Sequence, residues 1–238
     1  MKYIRANKYA WNELRKRIMG PNPLKLLEEL CALHPVSPEE TVMDLGCGQG
    51  VTSVFIVREY GPLVFAADLW IPPTENKKYF DSLGLTSRQI IPLQAEAHAL
   101  PFADEFFDTV ISVDSYQYFG LDPDYLGKHL LPLVKHGGYL LITVPGMKKD
   151  LHENLPAEML RSWRPEDLDT IHDAAYWRRI LEKTGEAEIV HLGEMEGNEE
   201  CWNDWLSCDN EYAVNDRAAM EAGAGKYMNF LAMILRRK

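Results

Sequence analysis

The chain has 238 residues, 46% of them hydrophobic, and a formal net charge of -11. That apolar content without a low-complexity linker favours one continuous core, and the acidic balance argues against general nucleic-acid binding, which draws on Lys and Arg. No apolar stretch is long enough to span a bilayer, the start lacks a secretory apolar region, and the four cysteines show neither C-x-x-C spacing nor a disulfide framework. A cytoplasmic protein with no metal site and no membrane contact is expected.

Two helical stretches open the chain, from Lys8 to Met19 and from Pro23 to Leu33, the second with Asn22 as cap and Pro23 at the first helical position. They are expected to close over a ligand. Thr41 to Gly50 follows, a short apolar run carrying Asp44 and then Gly46, Gly48 and Gly50 at every second position. Glycine lets the backbone turn tightly and approach a bound molecule, because no Cβ intervenes. The next helix, Val51 to Arg58, would point its free N–H groups at that ligand. Taken alone, the same glycines also fit a purely structural strand-to-helix turn.

A second strand, Leu63 to Ala67, ends in Asp68, at roughly the twenty-residue distance where α/β nucleotide folds place a ribose-binding carboxylate. A nicotinamide cofactor would also use this pair of strand ends, but its fingerprint is G-x-G-x-x-G, whereas the spacing here is G-x-G-x-G with Asp44 upstream. Helices are predicted for Thr74–Leu83, Pro123–Val134 and Asp173–Thr184, alternating with strands, and the stretch Glu186–Leu192 follows. A helical segment around Trp202 and Trp205 precedes a last β-like run, Tyr227–Leu235.

From Asp44 to Gly50 the chain resembles the class I S-adenosylmethionine-dependent methyltransferases, whose first motif is D-x-G-x-G-x-G. The segment Leu93 to Phe102 is similar to the D-A-x-x-L-P-F motif of the branch that includes quinone-biosynthesis and small-molecule methyltransferases, with Glu96 where that branch usually has Asp. The resemblance implies a Rossmann-like, doubly wound seven-stranded sheet, mostly parallel with one antiparallel strand near the C-terminus. It implies S-adenosylmethionine as cofactor and S-adenosylhomocysteine as product. Asp44, Gly46, Cys47, Gly48 and Gly50 would lie against the methionine part, Asp68 would bind the ribose, Leu69 and Trp70 would flank the adenine, and Glu96, Ala97 and Val113 would complete the pocket.

The chain is divided accordingly into a helical cap (1–38), a cofactor-binding core (39–145) and acceptor-side insertions with the last strands (146–238), within a single methyltransferase domain. Ligand crevices in open α/β sheets lie at the carboxyl ends of the strands, so Tyr116 and Tyr118 are expected to contact a small-molecule acceptor, with Trp163, Trp202 and Trp205 on the insertions; the indoles fit ordinary packing equally well. Candidate proton acceptors are His98, Asp114 and Tyr116. Lipid or cyclopropane-type transfer and a non-catalytic cofactor-binding partner are the alternatives, and a monomer or homodimer is expected.

Overall fold

The computed structural model describes residues 2–238. Its strands are β1 (Thr41–Leu45), β2 (Leu63–Asp68), β3 (Ile90–Gln94), β4 (Phe107–Val113), β5 (Val134–Met147), β6 (Ala187–Glu194) and β7 (Met228–Arg237). They form one sheet in the order β3-β2-β1-β4-β5-β7-β6. Only β7 runs against its neighbours, β5 and β6; the other pairs are parallel. The strand order reverses between β1 and β4, the point at whose carboxyl ends open α/β sheets bind their ligands.

Side chains along each strand alternate between two cores, as the two-residue period requires. Val42 of β1 with Ala232 and Ile234 of β7 faces one; Met43 and Leu45 with Leu231, Met233 and Leu235 faces the other. Both faces are apolar, so both need helical cover. The helices are α1 (Trp11–Leu14), α2 (Pro23–Leu33), α3 (Val51–Tyr60), α4 (Pro73–Ser82), α5 (Pro165–Leu168), α6 (Ala174–Glu182), α7 (Asn198–Leu206) and α8 (Glu211–Glu221). Leucines of α2 and apolar residues of α3 fill the first core, while Tyr125 to Leu133 and Trp177 of α6 fill the second.

Four elements differ from the sequence expectation. The first helix shrinks to a 3-10 turn at Ala6–Lys8 and the single turn α1, with Gly20-Pro21 ruling out continuation into α2. The expected helix at Pro123–Val134 becomes a π-helical turn, Leu126–Leu130, and a 3-10 turn, Leu131–Leu133, since Pro132 has no N–H to continue an α-helix. β3 contains Pro92, which an edge strand tolerates. Helix α8 was missed, although Asn210 accepts from the Ala213 N–H as a regular cap.

The cap is fastened to α7 by a buried polar cluster. Asn22 Oδ1 accepts from the N–H groups of Leu24 (3.1 Å) and Lys25 (3.3 Å), while its Nδ2 donates to Asp204 at 2.7 Å. Lys25 Nζ, on a buried side chain, lies 2.7 Å from Asp204 and 2.5 Å from Glu200. Replacing Asn22 by Ala removes the cap and leaves Asp204 short of a donor, so stability should fall by about 1–2 kcal/mol, read as a lower urea midpoint at unchanged slope.

Candidate cofactor and acceptor site

The turn after β1 is held by backbone bonds to β2. The N–H groups of Gly46 and Cys47 donate to Ala67 O at 2.8 and 3.0 Å, and Gly50 N–H closes back on Cys47 O at 2.9 Å. Gly46 and Gly50 both sit at φ +78°, a left-handed conformation that side chains disfavour. Space forbids a side chain as well: a Cβ at Gly50 would stand 2.6 Å from Phe80, and one at Gly46 would collide with Ser115. Ser115 in turn donates to Leu45 O at 2.9 Å, tying the end of β4 to the end of β1.

Asp44 lies beneath this turn, 1% exposed. Its Oδ2 accepts from Thr52 Oγ1 at 2.6 Å and Ser53 Oγ at 2.5 Å, both on the first turn of α3, while Oδ1 has no partner. Burial pushes the carboxyl up to about 6; the two hydroxyls pull it down and the charge of Asp68 adds to the rise. Asp68 is bound by three backbone donors: Gly48 N–H to Oδ2 (2.8 Å), and the N–H groups of Trp70 (2.8 Å) and Ile71 (2.9 Å) to Oδ1. Asn76 of α4, buried, donates to Gly48 O at 2.9 Å. Sequence reasoning missed Asn76, Phe80 and Ser115, which shape the turn from distant parts of the chain.

The remaining expected cofactor residues follow β2 and β3 or end β4. Val113 and Ala97 are buried, whereas Leu69 and Trp70 are exposed. Glu96 is exposed; its Oε2 accepts from His98 N–H at 2.9 Å and its Oε1 lies 2.7 Å from His98 Nδ1, a contact that holds the carboxyl below its ordinary value. His98 also packs edge-on against Tyr125 and is therefore occupied by its neighbours. The ring of Trp70, after β2, meets that of Tyr118, after β4, with centroids 6.2 Å apart, so the two exposed aromatics span the end of β1.

On the acceptor side the structure separates residues that the sequence grouped. Tyr116 is fully buried in the second core, packed against Tyr125, Phe119 and Trp177, with its hydroxyl unpartnered and burial pushing its pKa upward. The acceptor contact and proton-acceptor role expected for it do not follow from this position: the 3-10 turn at Tyr116–Tyr118 sends Tyr116 inward and Tyr118 outward. Trp202 and Trp205 are buried in the first core, and Trp163 packs on Trp202 at 6.2 Å. Asp216 of α8 accepts from Trp163 Nε1 at 2.8 Å and Trp205 Nε1 at 2.9 Å.

Asp114 adopts φ +54°, an uncommon conformation for a residue with a side chain. Its carboxylate abuts Gly20, so closely that a side chain there would collide with it, and Met19 Sδ lies 3.3 Å from where a Cβ on Gly48 would stand. The N-terminal segment thus packs over the turn after β1 and the end of β4. Burial pushes the Asp114 carboxyl up to about 7, opposed by a hydrogen bond from Gln117 and reinforced by the charge of Asp216. Among the described residues no cluster of His, Cys, Asp and Glu could hold a metal ion, and no helix is long and apolar enough to cross a membrane.

Residues 43–142 match the family described as methyltransferase domain. An uncharacterized methyltransferase of Bacillus subtilis, YodH, is 26% identical over 149 residues, covering 63% of this chain and 60% of YodH. The 2-methyl-6-phytyl-1,4-hydroquinone methyltransferase of Synechocystis is 34% identical over 113 residues, 47% of this chain and 34% of that protein. The chain therefore spans less than two thirds of the length of either relative. The fold also matches geranyl diphosphate methyltransferase solved in complex with S-adenosylmethionine, with TM-score 0.72 at 15% identity, over 91% of this chain and 86% of that one.

Within the matched region Asp44 sets a pH dependence. Its folded pKa, about 6, is raised above the ordinary 3.8, so its contribution to stability is complete below pH 3.8 and lost as pH rises through about 6. Relative to Asp44→Asn, the natural chain should therefore lose about 1 kcal/mol between roughly pH 5 and 7. Urea titrations of both proteins at the two pH values measure the difference; parallel behaviour would show that Asp44 is not raised.

Proposed function

We propose that the protein transfers the methyl group of S-adenosylmethionine to a small-molecule acceptor held between the end of β4 and the covering segments. One observation carries this reading: Asp44 Oδ1 is buried and unpartnered beneath a glycine cradle that side chains would fill. A buried acceptor of this kind calls for a donor, best a charged one. The cofactor's ammonium group fits that need. Its ribose hydroxyls suit Asp68, because three bound N–H groups leave room among the about four acceptor sites of a carboxylate.

The bound cofactor supplies an already activated methyl group on a sulfonium. The chain has to orient the partners and exclude water. Met19 and Gly20 cover the crevice at Gly48 and Asp114, Trp70 and Tyr118 border its outer side, and Asp114 is a partly buried acid placed to take up a proton. The hydroquinone methyltransferase among the relatives supports a small organic acceptor. We read the protein as a cytoplasmic monomer or homodimer, organised as cap, core and acceptor-side insertions around one site.

Calorimetry should detect S-adenosylmethionine and S-adenosylhomocysteine but not NAD; binding of NAD alone would overturn the assignment. Asp68→Ala should weaken S-adenosylmethionine by about 1–3 kcal/mol through lost charge-assisted hydrogen bonds. Unchanged affinity would remove Asp68 from the site. A cation next to Asp44 favours its charged form, so near pH 6 binding should release a proton and affinity should rise with pH. Titrations in buffers of different ionisation enthalpy count that proton, and Asp44→Asn should abolish its release.

A further inference from the structure

We infer that the methyl acceptor is an amine, held as its ammonium ion by Asp114 and the side-chain oxygen of Gln117; the inference rests on the methyl-transfer reading above. Asp114 Oδ1 accepts from Gln117 Nε2 at 3.0 Å. The carboxylate offers no proton to donate when ionised, so this bond fixes the amide with its nitrogen toward Asp114 and its oxygen beside it. Gln117 is 1% exposed, and that oxygen, Oε1, has no partner. An acceptor left bare at such burial costs free energy unless a ligand satisfies it.

Charge points the same way. Among the described residues neither Asp114 nor Asp216 forms a salt bridge with a Lys, Arg or His side chain, and the charge of Asp216 is felt at Asp114. The local inventory is thus two carboxylates and an amide oxygen that accept, with the Tyr118 hydroxyl beside them and no cation of the protein's own. An ammonium ion brings the missing positive charge and one to three N–H donors, enough for the Asp114 carboxylate and the bare amide oxygen when the amine is primary or secondary. A carboxylic acid would enter as an anion next to two others. A phenol or thiol offers a single donor and must become an anion in the same field.

The reaction balances with these groups. The ammonium gives one proton to the Asp114 carboxylate; the freed nitrogen lone pair forms the N–C bond to the methyl group as the C–S bond breaks. The electron pair of that bond stays on sulfur, which becomes neutral. The product leaves as the methylated ammonium ion, and Asp114 returns its proton to solvent. The left-handed backbone at Asp114 turns its carboxylate toward Gly20 of the cap.

The test uses the whole chain saturated with S-adenosylhomocysteine and titrated with primary, secondary and tertiary alkylamines, and with alcohols, phenols, thiols and carboxylic acids of matching carbon skeleton. Turnover of the same panel with S-adenosylmethionine is scored by S-adenosylhomocysteine release. We expect binding and turnover confined to amines. Asp114→Asn should weaken amine binding by at least about tenfold, and Gln117→Leu by several-fold, while both keep their affinity for S-adenosylhomocysteine, which also shows that they fold. Absence of amine binding up to tens of millimolar, preference for a neutral or acidic acceptor, or unchanged amine binding in Asp114→Asn would overturn the inference and leave methyl transfer standing. Failure of the natural chain to bind S-adenosylmethionine or S-adenosylhomocysteine would instead overturn the methyl-transfer reading.

Discussion

A carboxylate at the end of a central strand has to be satisfied without water, and Asp44 is satisfied on one oxygen only. That half-met demand organises its surroundings. Thr52 and Ser53 answer it from the first turn of α3, which fixes where the helix starts relative to β1. The turn between must then be short, and Gly46 and Gly50 make it so in backbone conformations other residues resist. β2 braces it through Ala67 O and Asp68, and α4 through Asn76 and Phe80. The result is a turn braced from three sides with one acceptor still open.

The proposed acceptor side is built on a different plan. Beyond the end of β4 its proposed walls come from the cap and from the segments between β5 and β7, packed into the first core by Met159, Trp202 and Trp205. Several polar contacts join these pieces, and the part-buried ones among them include those of Asn22 and Lys25 with Asp204 and of Asp216 with two indoles. Their burial makes them stronger than surface pairs would be, and also more exacting in geometry.

The cofactor side was legible in the sequence because its parts are local. Asp44 and the glycines lie within seven residues, and Asp68 follows at the end of the next strand, so spacing alone places them on adjacent strand ends. Asn76 and Ser115 reach the same turn across 28 and 70 residues, and nothing in their neighbourhood announces it. Tyr116 and Tyr118 show the limit of spacing on the other side. Two residues apart, they would share a face in a strand, but the 3-10 turn buries one and exposes the other. The missed α8 carries the residue, Asp216, that joins Trp163 to Trp205, so that contact was out of reach as well.

That contact makes the cover unequally robust. Each indole has a single N–H and gives it to a different oxygen of one carboxylate. Drift at Trp163 or at Trp205 leaves the other bond intact, and the segment before α5 and helix α7 can diverge one at a time. Asp216 has no such latitude, because any change there strands two buried donors together. Variation among relatives of this chain should therefore accumulate on the aromatic arms and spare the acid between them.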